Sequence, residues 1–194
     1  MSEESRVVVV CGIPRTGTSV VAAIVSHLGV RFDRGLVTKS TPTGSFMDPE
    51  MNFELRRPDN LAIDRFVEKH NRPGLSGFKF HGTTGHFYPC LNRLNIWRTI
   101  ETTRPKAPTM KSLVKKRGGD KGARDRATRR YNGCKMKVAR FFSQYPGLAV
   151  SYDELVETPG KVVAELASWL EVDATDALIR SASAIVKTGL RHWK

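Results

Sequence analysis

Gly12, Pro14, Arg15, Thr16, Gly17, Thr18 and Ser19 stand between an apolar run, residues 7–11, and an amphipathic segment closed by Gly29. Their types suit the holding of an anion. The two glycines permit backbone geometries that a side chain would block. If the segment after Gly17 is a helix, its first amides around Gly17 to Ser19 point at whatever anion sits there. Arg15 adds a fixed cation, while Thr16, Thr18 and Ser19 add hydroxyl donors. The spacing is close to the nucleotide loop G-x-x-x-x-G-K-[ST], in which the lysine reaches phosphates and the hydroxyl binds magnesium. Gly12, Gly17 and Ser19 keep their places, but Thr18 replaces the lysine and the charge moves into the loop at Arg15. That change argues against ATP or GTP hydrolysis.

The elements that must position these residues follow from periodicity and punctuation. Residues 7–11 read as a strand and the segment after Gly17 as a helix. Residues 31–60, rich in Pro, Gly, Thr and Asp, read as a loop followed by a short helix from about Pro49. A helix over 61–70 places Leu61, Ile63, Phe66 and Val67 together. Asn71 to Gly77 breaks it, Gly77 to His81 forms a short strand, and His86 to Leu94 begins another helix. Residues 96–104 are rich in β-formers and end at Arg104-Pro105. From Lys111 to Tyr145 the pattern is helical but interrupted by Gly118, Gly119 and Gly133, which predicts the most mobile region there. Residues 148–152 form a strand, then Thr158 caps and Pro159 opens a helix with Val162, Val163, Leu166, Ala167 and Leu170 on one face. Alternating strands and helices imply an α/β protein with a mostly parallel central sheet flanked by helices. Anions in such folds bind beyond the carboxyl ends of the strands, where the 12–19 loop, His81 and Arg104 all fall.

Composition bounds the rest. A chain of 194 residues with 40% hydrophobic content predicts one domain, 1–194, able to bury a full core. Cys11, Cys90 and Cys134 are too few and too scattered for a disulfide framework or a zinc site, which points to a reducing compartment. The apolar runs fall far short of the ~20 residues of a membrane span. The acidic start MSEESR is the reverse of a signal peptide, so the expectation is a soluble, cytoplasmic protein. The net charge of +13 calls for an anionic partner, and fourteen Lys or Arg between Arg104 and Arg140 face only Asp120 and Asp125. Nucleic acid is the weaker reading of that stretch, because Tyr131 is its only aromatic and it holds no zinc-finger or RNP-like pattern.

Four segments, in order and together spanning nearly the whole chain, resemble the sulfotransferases that use 3′-phosphoadenosine 5′-phosphosulfate (PAPS). The 14–19 loop PRTGTS is similar to the family's 5′-phosphosulfate loop. Lys79-Phe80-His81 looks like its K-x-H, and the resemblance implies that Lys79 and His81 lie beside the transferred group with His81 as general base. Arg104 and Ser112 stand at the spacing with which the family grips the 3′-phosphate. LAVSYDELVETPGKVVAELASWLEV is similar to its strand, Y-E-D-L, proline and helix segment. The resemblance implies a P-loop-like sulfotransferase fold. Met47 stands where many bacterial and viral members have the glutamate of G-x-x-E-D. The stretch Lys187 to Trp193 resembles the family's R-K-G-x-x-G-x-W nucleotide loop only in part, and Pro105 follows Arg104 directly where an intervening residue is commoner.

The implied reaction is in-line transfer of a sulfuryl group from PAPS to a hydroxyl or amine acceptor. Cations and amides around the leaving oxygen stabilise the transition state, and no metal is needed. Arg15 and Lys79 take that task, and Pro14, Arg15, Thr16, Gly17, Thr18, Ser19, Arg104 and Ser112 bind the donor. His81 is the first choice of base, followed by Asp48 and Glu50. The acceptor, a small molecule or glycan that the basic stretch allows to be anionic, would lie between segments 31–60 and 111–135. A divergent P-loop kinase and a non-catalytic anion- or nucleic-acid-binding protein remain the alternatives. Taken singly, Lys79 could be a surface lysine, His27 a packing residue, His70 and His86 surface or loop residues, and Trp97 and Trp169 partly buried packing groups.

Overall fold

The structure, a computed structural model, describes residues 4–33, 60–81, 88–116, 118, 120 and 122–190. Within them lie β1 (Ser5–Gly12), β2 (Arg31–Phe32), β3 (Gly74–His81), β4 (Ile96–Thr103) and β5 (Leu148–Ser151). The helices are α1 (Thr18–His27), α2 (Asn60–His70), α3 (Tyr88–Leu91), α4 (Lys106–Lys116), α5 (Ala123–Gln144), α6 (Tyr152–Glu157), α7 (Pro159–Trp169) and α8 (Asp176–Leu190). The five strands form one sheet in the order β2-β3-β1-β4-β5, and every pairing is parallel.

The unbroken run Val7 to Cys11 is explained by the position of β1 in the middle of this sheet. A parallel strand covered on both faces has no solvent side, so it needs apolar residues at every position. Val8 and Val10 join Ile100, Val150 and the inner faces of α1, α7 and α8. Val7, Val9 and Cys11 join Phe78, Phe80, the α2 residues Phe66 and Val67, and Val138 and Phe141 of α5. A smaller cluster of Leu113, Ala127 and Tyr131 sits between α4 and α5, with Ile13 of the loop packed against it. The parallel register sets Gly12 between His81 and Thr102, and Val10 between Lys79 and Ile100.

Several local expectations change. Arg31–Phe32 adds an edge strand within the expected loop, and β3 begins three residues early because Gly74 pairs with Ser5. The helix expected over 86–94 is the single turn α3 within the described residues, and α4 starts at Lys106, directly after Pro105. Gly133 does not interrupt α5: no heavy atom lies within 4 Å of where its Cβ would be, and Cys134, Val138 and Phe141 anchor the helix around it. Tyr152 opens α6 rather than ending β5. Thr158 holds the N-cap position of α7 and Pro159 is the first helical residue, both as expected, but the Thr158 side chain makes no capping bond: its hydroxyl donates back to the Glu154 carbonyl at 3.2 Å. Residues 187–190 continue α8. His70 is buried, not on the surface, with its ring centroid 4.5 Å from Phe66 and 5.1 Å from Phe78. His27 is exposed and hydrogen-bonded to Ser181 at 2.8 Å. Trp97 and Trp169 are partly buried, with the Arg98 guanidinium between them at 4.7 and 4.8 Å from their ring centroids. Gly44, Met47, Asp48, Glu50, the Pro49 helix, His86 and residues 191–194 lie outside the described residues.

Candidate active site

Along the 12–19 loop, burial alternates. Gly12, Pro14, Thr16 and Thr18 are buried, and Ile13, Arg15, Gly17 and Ser19 are partly exposed. Thr16 braces the turn: its hydroxyl lies 2.7 Å from the Ile13 carbonyl and 2.8 Å from the Thr102 hydroxyl. That contact passes over Gly12, where a Cβ would come within 2.1 Å of Thr102 Oγ1. The loop then turns through two left-handed residues, Arg15 at φ 81° and Gly17 at φ 90°. A positive φ at a long side chain costs on the order of 1–3 kcal/mol and persists only where the surroundings enforce it. Gly17 is the N-cap of α1, no side chain caps that end, and its first turn holds no acidic residue. The positive end of the helix is therefore open to an anion.

Strand alternation brings the cations to this point. Phe78 and Phe80 fill the core under α5, so Lys79 between them must face the other way. It is 2% exposed, and its Nζ donates to Ser19 Oγ at 2.8 Å. Desolvation, then the nearby charge of Lys116, push its ammonium down to about 7. Arg15 Nε donates to Ser112 Oγ at 2.9 Å. Desolvation and then the charge of Arg104 lower the Arg15 guanidinium to about 10. Arg104 itself lies 4.5 Å over the Tyr152 ring, and its Nε is buried without a hydrogen bond, 3.7 Å from an Asp153 carboxylate oxygen. His81, beside Gly12 at the strand end, is held neutral well below its ordinary value by desolvation, then by the charges of Lys79 and Arg130.

Arg15, Lys79, His81, Arg104, Ser112 and the loop residues Pro14 to Ser19 thus lie at the carboxyl ends of β1, β3 and β4 or on the helices that follow them. Ser112 on α4 accepts the hydrogen bond from Arg15 of the loop. The Thr16 hydroxyl is engaged inside the loop and Ser19 already accepts from Lys79. Three residues escape the sequence reading. Tyr152 walls the loop, its ring so close that a Cβ on Gly17 would meet Cδ2 at 2.4 Å. It follows β5 directly, so the rule that sites form beyond strand ends could have found it. Lys116 and Arg130 act electrostatically on Lys79 and His81, and nothing in the basic stretch marks them out from its other cations. Among the described residues, no group of three His, Cys, Asp or Glu could hold a metal ion, and no helix is long and apolar enough to cross a membrane.

The architecture is found in solved sulfotransferases. The sulfotransferase domain of the Synechococcus olefin synthase aligns over 92% of this chain and 77% of its own, with a TM-score of 0.55 and 15% identity. The sulfotransferase domain from the curacin biosynthetic pathway aligns over 91% of this chain and 77% of its own, with a TM-score of 0.57 and 15% identity. Sulfotransferase STF9 from Mycobacterium avium aligns over 97% of this chain and 68% of its own, with a TM-score of 0.63 and 14% identity. No protein-family model and no curated protein matches the sequence. The chain therefore has the P-loop-like sulfotransferase fold, an α/β sheet of five parallel strands flanked by helices.

Proposed function

We propose that this protein is a sulfotransferase that moves a sulfuryl group from PAPS to a hydroxyl or amine acceptor. One observation carries the reading: Arg15, Lys79 and Arg104, from three different strand ends, surround one glycine loop and an uncapped helix N-terminus. The residues present fit the two anionic ends of such a donor. The open amides of α1 suit the 5′ group, and the buried, unbonded Nε of Arg104 suits a second phosphate. Ser19, the hydroxyl that holds magnesium in an ATP loop, accepts from the Lys79 ammonium instead, so a side-chain cation stands in the metal's usual place.

The donor supplies the sulfuryl group: the acceptor oxygen or nitrogen bonds to sulfur as the bond from sulfur to the bridging phosphate oxygen breaks. Arg15 and Lys79, with the α1 amides, stabilise the charge that grows on that oxygen. Both cations are desolvated, which strengthens their attraction for an anion beside them. Arg104 and Ser112 hold the 3′-phosphate, with Tyr152 fixing the Arg104 guanidinium. His81, neutral at pH 7, takes the acceptor's proton. Thr16 and Thr102 keep the loop in shape. Calorimetry with the desulfonated nucleotide 3′-phosphoadenosine 5′-phosphate (PAP), without magnesium and with ATP–magnesium as control, tests the reading. Preference for PAP supports it, as does transfer from labelled PAPS to a panel of acceptors. Preference for ATP–magnesium indicates a kinase, and a PAP-soaked crystal with an empty 12–19 loop ends the case.

A further inference from the structure

The contact between α4 and α5 has an inner and an outer side. On the inner side Leu113, Ala127 and Tyr131 close a small core. On the outer side the helices part around a cavity of about 660 Å³. Met110 and Val114, one turn apart on α4, line it with Ala107 and Thr128. The lining also holds Lys106, Lys111 and Arg124 and, among the described residues, no acidic one. All three cations are exposed, and none forms an ion pair among the described residues. Lys106 Nζ lies 5.8 Å over the Tyr131 ring instead. Helical geometry puts this surface on the side of α4 opposite Ser112, so the cavity is separate from the loop site.

We propose that this cavity binds an amphipathic anion: a hydrocarbon chain or ring system ending in an acidic head. Its volume falls within the ~300–1,000 Å³ of sites for small organic ligands. The apolar part of the lining favours hydrocarbon removed from water, and the cations, without an ion-pair partner among the described residues, select the sign of the head. A folded acidic partner fits less well, since a stable protein interface takes roughly 20–30 residues a side and seven of the described residues line this cavity. The assignment uses none of the residues of the sulfuryl-transfer site.

Calorimetric titration of the full chain with decanoate should saturate at one site. Octyl glucoside, a tail without charge, and acetate, a charge without tail, should bind at least ~10-fold more weakly. The double variant Lys111→Glu, Arg124→Glu and the single variant Ala107→Trp, which fills the cavity while keeping its cations, should each weaken decanoate ~10-fold or more. Circular dichroism and the melting temperature check that each variant is folded, independently of any nucleotide. Decanoate binding that is absent below millimolar concentration, matched by octyl glucoside, or unaltered in the two variants overturns the proposal.

Discussion

Anion binding at the loop should draw a proton onto Lys79, and that proton can be counted. In the free protein, desolvation and then the charge of Lys116 lower its ammonium from 10.5 to about 7. At pH 8 roughly a tenth of the molecules then carry this charge. A phosphate against the α1 N-terminus beside Ser19 favours the charged form and returns the group toward its ordinary value. About 0.9 proton per bound PAP is therefore taken up at pH 8, and affinity falls by up to ~10-fold per pH unit above about pH 7.5. Calorimetry at pH 8 in two buffers of different protonation enthalpy reads the proton number directly. Uptake near zero, or uptake that persists in Lys79→Met, refutes this account of Lys79. The same group affects stability with a definite sign. Its folded value is depressed, so its contribution is fully present above the unfolded pKa of 10.5 and is lost as pH falls toward about 7. Because Lys79 is 2% exposed, the gap of 10.5 − 7 converts to an upper bound of roughly 5 kcal/mol. Lys79→Met should therefore melt higher than the parent at pH 7 while binding PAP less tightly.

Arg15→Ala should lower kcat by ~10²–10³ by removing a transition-state cation, and near-normal turnover means that the loop is misassigned. Arg15→Gly should lose as much activity yet gain about 1 kcal/mol in chemical denaturation, because glycine accepts the φ of 81°. Arg104→Ala should weaken PAP at least ~10-fold with little change in melting temperature; unchanged affinity removes Arg104 from the phosphate site. Gly17→Ala places a Cβ 2.4 Å from Tyr152 at φ 90° and should cost about 2 kcal/mol or more in urea unfolding. A neutral Gly17→Ala argues against this loop geometry. Because His81 is held neutral well below 6.5, kcat/KM should not fall as pH drops to that value, and His81→Ala should cost ~10²–10⁴ in rate. An acid limb near pH 6.5 that survives His81→Ala assigns the base elsewhere, with Asp48 and Glu50 next to be tested.

What the linear chain determined by itself were the features that depend on residue type and near neighbours. Val7 to Cys11 announced a strand covered on both faces, because only a doubly buried strand tolerates apolar residues at every position. Gly12 and Gly17 with Arg15 announced an anion loop before a helix, and Arg15 and Gly17 take left-handed φ values inside that loop. The two-residue strand β2 carries no periodicity to read, and the helix-breaking tendency of Gly133 is overridden by the buried residues of α5 on either side of it. Only the tertiary structure decided which partners meet. Ser112 reaches Arg15 across 97 positions, Lys79 reaches Ser19 across 60, and Tyr152 closes on Gly17 from the far edge of the sheet. Those pairings come from strand order and register, which are set by the joint burial of both sheet faces and leave no mark at any single position in the chain.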